Sequence, residues 1–178
     1  MKIIKIITVF VFSVLIFSNA NAVCDFEFNI GDDESSVVEK YGITLDEIKP
    51  KQSIFIMIAS DLCPGNSLEG VVVEYMFLDK KLASINLKAL NNETNSVSNK
   101  LGLYKYVENT YGVFNFSGDN PLAWNNFHSW NDHSKTFYYK RMLNTEGIIE
   151  EELFISNREY EKKKLLFELD LENEMIVE

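Results

Sequence analysis

The sequence predicts an α+β protein made of two similar units, each a helix followed by three antiparallel strands, with a further helix at the C-terminus. Three observations carry this expectation. Two helical stretches close on the same pair of residues, Tyr41-Gly42 and Tyr111-Gly112. Each is followed by apolar runs of the short, β-branched and aromatic kind that form strands. The distance from Gly42 to the first hairpin turn, about 37 residues, is close to the distance of about 32 from Gly112 to the second.

Ahead of the first unit, Lys2 and Lys5 precede an apolar run from Ile6 to Phe17, and Ala20-Asn21-Ala22 follows. A positive start, a short apolar core and a small-x-small site make residues 1–22 a cleavable secretory signal. The run is short for a bilayer core of about 30 Å, so no transmembrane segment is expected after cleavage. Cys24 stands where a lipoprotein would carry its acylated cysteine, but Asn21 and Val23 do not fit a lipoprotein box. The mature chain is therefore expected to be exported, periplasmic or secreted. Cys24 and Cys63 are its two cysteines, and in an oxidising compartment they are expected to pair.

The first unit spans 23–90. Gly31 to Gly42 has acids and serines at its front and glycine at its back, the order of a short helix whose carboxylates favour the positive end of its dipole. Thr44 to Ile48 starts a second helical turn that Pro50 stops. Gln52 to Ser60 places Ile54, Ile56 and Ile58 on one side and Phe55 and Met57 on the other, a strand expected to be buried on both faces. Glu69 to Leu78 and Leu82 to Leu90, around Asp79-Lys80-Lys81, form a hairpin.

Residues 91–99 are rich in Asn, Ser and Thr and read as a linker. The second unit, 100–178, repeats the order. Leu101, Tyr104, Val107 and Tyr111 are spaced for one helical face. Leu122 to Asn131 is a strand, and Lys135 to Leu143 with Ile148 to Ile155 forms a second hairpin, in which Lys140 and Arg141 face Glu150, Glu151 or Glu152 according to register. Ser156 and Glu159 have capping-box spacing, and Tyr160, Lys164, Phe167 and Leu171 share a face of the final helix.

The segment Phe28-Asn29-Ile30-Gly31-Asp32, the helix closing at Tyr41-Gly42, and the strand pair through Tyr75-Met76-Phe77-Leu78-Asp79-Lys80-Lys81-Leu82 resemble the helix-then-sheet unit of the small outer-membrane-assembly lipoproteins. Two copies in one exported chain are similar to the beta-lactamase-inhibitory protein family. The resemblance covers roughly residues 26–90 and implies tandem α+β units whose sheets form a curved surface for another protein. Asp32 stands where those lipoproteins usually have Met.

Charge narrows the partners. Removing Lys2 and Lys5 leaves 15 basic against 27 acidic residues, a formal charge near −12. Nucleic acid is not an expected partner, because a polyanion requires a basic stripe and Lys162-Lys163-Lys164 is flanked by Glu161 and Glu168. No metal or cofactor is expected: His128 and His133 lie five residues apart, a spacing that neither helix nor strand brings to one ion. There is no Gly-x-Ser-x-Gly elbow, although His128 or His133 with Asp132 could serve a small secreted hydrolase. An inhibitor of an exported enzyme is what the resemblance would imply.

The remaining feature is aromatic. Phe114, Phe116, Trp124, Phe127, Trp130, Phe137, Tyr138 and Tyr139 crowd one stretch, and Trp and Tyr supply much of the binding energy at interfaces. Most of these rings are expected in the core, with Trp124 or Trp130 exposed. Trp124, Trp130, Tyr138 and Tyr139 are the binding candidates, and the expected function is non-enzymatic: binding or assembly in the bacterial envelope through a sheet face, against another exported or envelope protein.

Overall fold

The computed structural model describes residues 24, 26, 28–66, 68–90, 102–112, 126–143, 145 and 149–177. Residues 1–22, the polar stretch 91–99, Phe114, Phe116 and Trp124 lie outside the described residues. The described chain runs α1 (Glu34–Tyr41), β1 (Asp46–Lys49), β2 (Gln52–Ile58), α2 (Ala59–Leu62), β3 (Val71–Leu78) and β4 (Lys81–Ala89). It continues with α3 (Gly102–Tyr111), β5 (Asn126–Asp132), β6 (Lys135–Leu143), β7 (Ile149–Ser156) and α4 (Arg158–Val177). The α+β expectation holds: helix precedes strands in each half, and a C-terminal helix closes the chain.

The two halves share one antiparallel sheet. Its strand order is β1-β2-β3-β4-β7-β6-β5, so each half contributes a meander and the last strand of each meets the other at the centre. Ile85 pairs with Ile155 and Leu87 with Leu153 across this junction, and the Ser156 hydroxyl donates to the Ala83 carbonyl at 2.7 Å.

Strand alternation gives the sheet two faces. The inner face presents Val71, Val73, Tyr75 and Phe77 of β3, Leu153 and Ile155 of β7, and Phe137 and Tyr139 of β6 to a core completed by Val37 of α1, Ala59 of α2 and Leu103, Tyr106 and Val107 of α3. A β-bulge at Ala83 pairs Met76 with Ser84 but Phe77 with Leu82, so Leu82 and Ile85, three residues apart, both reach this core. Gly42 and Gly112 end their helices at φ +63° and +95°, the left-handed conformation that favours glycine, and donate to Val38 and Glu108 carbonyls. Cys24 and Cys63 form a disulfide with Cα atoms 5.7 Å apart, tying the start of the described chain to the end of α2.

Four local expectations change. Thr44 to Ile48 does not start a helical turn: Pro50 and Lys51, the latter at φ +63°, reverse the chain so that Asp46–Lys49 pairs with β2. β2 is covered on one side, and Ile56 and Ile58 stand exposed, because none of the described helices lies over that end of the outer face. The buried side of α3 is Leu103, Tyr106 and Val107, with Tyr104 and Tyr111 at its margin, a stripe shifted from the predicted one. Ser156 belongs to β7, and α4 is capped by Asn157, whose side-chain oxygen accepts the Tyr160 N–H at 2.9 Å.

Candidate functional site

The outer face is the one that alternation leaves to polar residues, and α4 crosses only part of it. Tyr160 packs with Met76, Leu78 and Ala83 in a small second core, against which Ile54 and Phe167 also rest. Beyond this contact the pairing registers place side chains in rows across the strands. One row runs Ile58, Val72, Lys88, Glu152, Lys140, Phe127 from β2 to β5. The neighbouring row runs Ile56, Glu74, Asn86, Phe154, Tyr138, Ser129.

The charged members are paired within the face. Lys88 Nζ lies 2.9 Å from Glu74, and Lys140 Nζ lies 3.2 Å from Glu152 and 3.4 Å from Glu150. Partial burial works against the charge on Lys140, but Glu152 and Glu150 outweigh it and raise its pKa. The Tyr138 phenol is also raised, by burial first and by the neighbouring Glu161 next. These pairs hold long side chains in place, and the apolar members are left as the accessible surface.

Aromatic rings form the other half of the face. Phe127 and Tyr138 stack with centroids 5.8 Å apart, Tyr138 meets Phe154 at 6.0 Å, and Lys164 of α4 lies over the Phe154 ring at 5.6 Å. Phe127 is 58 % exposed although it is a large ring in a strand. Together with the Glu74–Lys88 pair these residues line an open cavity of about 450 Å³. A wider one of about 650 Å³, sharing Tyr138, opens between the β5–β6 turn and the start of α4.

The structure divides the aromatic candidates between the two faces. Tyr138 is on the outer face. Tyr139 is buried on the inner face, its hydroxyl donating to Glu151 at 2.7 Å, and Trp130 stacks on Phe137 at 5.0 Å beside Tyr111. Strand alternation is the cause, since adjacent residues 138 and 139 must point opposite ways. Phe154, Lys88 and Ile56 join Tyr138 on the outer face. The alternation of β7 places Phe154 there in principle, but the sequence does not say which face is uncovered.

His128 lies on the inner side of β5, opposite Tyr139, whereas His133 sits in the β5–β6 turn at φ +51° with Nε2 3.7 Å from Asp132. The two histidines are not brought together. Among the described residues no group of three His, Cys, Asp or Glu side chains is placed to hold a metal ion, and no helix is long and apolar enough to cross a membrane.

Fold and face define the class as far as geometry does: an antiparallel sheet with one covered face, and a second face that presents aromatic and aliphatic side chains among paired charges. No protein-family model matches the chain, and no curated protein or solved structure is significantly similar to it.

Proposed function

We propose that the protein is an exported, non-enzymatic binding or assembly protein of the bacterial envelope that engages another exported or envelope protein through the outer sheet face. The observation that carries this reading is the exposure of Phe127 beside Tyr138 and Phe154, with Ile56 and Ile58 exposed towards the far edge of the same face and paired charges between. Apolar side chains held at a solvent boundary by a rigid sheet lose little entropy when a partner covers them. The Cys24–Cys63 disulfide supports export, because such bonds persist in oxidising compartments. The signal features of residues 1–22 support it independently.

The test is capture from the envelope fraction with the wild-type protein and with Phe127→Asp and Tyr138→Ala variants, whose folding is checked by thermal melting. A partner recovered by the wild type and lost with either variant, at unchanged Tm, supports the reading. Equal recovery by all three proteins, or hydrolytic activity that depends on His133 and Asp132, overturns it.

A further inference from the structure

The α4 helix has two apolar sides. One carries Tyr160 and Phe167 and packs on the sheet. The other carries Leu165, Leu166 and Leu169, which are 58 %, 51 % and 45 % exposed. On a helix of 3.6 residues per turn these three cluster on one side, roughly opposite Tyr160 and Phe167, so the sheet cannot cover them. Three neighbouring leucines at the crest of a surface helix form a patch of the kind that marks a contact site.

The charge along α4 says what covers it. Residues 158–167 hold Arg158, Lys162, Lys163 and Lys164 against Glu159 and Glu161, a surplus of two positive charges. Residues 168–177 hold Glu168, Asp170, Glu172 and Glu174 and no basic residue, a surplus of four negative charges. This order opposes the helix dipole at its C-terminal end, where cations stabilise and acids do not, and the last turn has no basic residue to offset it. A second α4 running antiparallel offsets this, because it lays its basic half along the acidic half of the first.

We infer that two copies of this chain associate through α4 in an antiparallel, two-fold arrangement centred near Leu166. A two-fold contact must be complementary to itself, and a helix that is basic at one end, acidic at the other and leucine-rich between meets that condition. With the axis near Leu166, Lys162 of one copy comes level with Asp170 of the other, four residues from the centre on each side. Lys163 and Lys164 are already engaged within their own helix, by Glu159 at 2.6 Å and Glu168 at 4.0 Å, whereas Lys162 makes no ion pair among the described residues. The outer sheet face lies on the opposite side of α4 and stays open in such a dimer. The seam is small for a stable interface, so the dissociation constant is expected on the order of 10–100 µM.

Sedimentation velocity on the mature chain with its disulfide intact, over a roughly hundredfold concentration range, tests this. The expected result is a shift from monomer towards twice the monomer mass. Leu166→Glu with Leu169→Glu should raise the dissociation constant at least tenfold with the melting curve unchanged, since these side chains are exposed. Lys162→Glu should also weaken the dimer, and Asp170→Lys added in the same chain should restore it. A monomer at every concentration overturns the inference. So does a dimer that survives the leucine variants or ignores the charge reversal.

Discussion

Glu151 lies opposite Arg141 on the inner sheet face, and each is only 1 % exposed. The carboxylate accepts the Tyr139 hydroxyl at 2.7 Å and the Tyr104 N–H, in the first turn of α3, at 3.0 Å. One buried acid therefore joins two strands to the positive end of a helix. Glu151→Ala is expected to cost about 1–3 kcal/mol in urea unfolding, because it strands the Tyr139 hydroxyl and the Tyr104 N–H and removes the negative charge opposite a buried guanidinium. Burial, and then the charge of Glu151, push the Tyr139 phenol far above its ordinary value. A raised folded pKa contributes stability that is complete below the unfolded value near 10 and is lost as pH rises from there towards the folded value. Wild type should therefore lose more stability between about pH 9 and 11 than Tyr139→Phe, as read by guanidinium unfolding at each pH. Lys140, Arg141 and Glu150 to Glu152 were legible as cross-strand partners from their spacing. Which of them is buried was not, because a shift of one residue would exchange the faces.

Among the elements, the tight connections carry the most local strain. Leu78 pairs with Lys81 around Asp79 and Lys80 at φ +49° and +62°, a two-residue hairpin turn whose conformation favours Asn or Gly. Lys80→Gly is expected to stabilise by about 0.5 kcal/mol and raise Tm, since it relieves a left-handed residue at a modest entropic cost. Asn157→Ala is expected to destabilise α4 by about 1 kcal/mol, visible as a lower Tm, while Ser156→Ala tests instead the hydroxyl bond from β7 to the Ala83 carbonyl. A cap was legible near residue 156 because Ser and Asn are both capping residues. Only the end of β7 decides between them, as Ser156 pairs with Thr136 and leaves Asn157 to start the helix.

At the scale of the molecule, the Cys24–Cys63 bond closes a loop of 39 residues between the start of the first unit and the core beneath α2. Reduction, or Cys24→Ser with Cys63→Ser, is expected to cost on the order of 4 kcal/mol in urea unfolding under otherwise equal conditions. The two halves cannot be treated as independent, because Ile85 to Lys88 of β4 pair with Glu152 to Ile155 of β7 and their inner residues enter one core. A cut between the halves would expose the β4 edge and the β7 edge together.

The helix at the head of each half and the one at the C-terminal end, the two Tyr-Gly helix ends, both hairpins and the cysteine pair were determined by the sequence alone. Each depends on local chemistry: alternation for strands, glycine for left-handed caps, and two thiols with no competitor. The tertiary structure decided what depends on distant partners. It set the edge-to-edge joining of the two meanders, the bulge at Ala83 that brings Leu82 and Ile85 to one side, and the placement of Tyr138 outside and Tyr139 inside. It also laid α4 over Met76 and Ala83, leaving Ile56 and Phe127 exposed on the same face. Period-two patterning states that neighbours point opposite ways, but which way is out depends on where the helices come to rest.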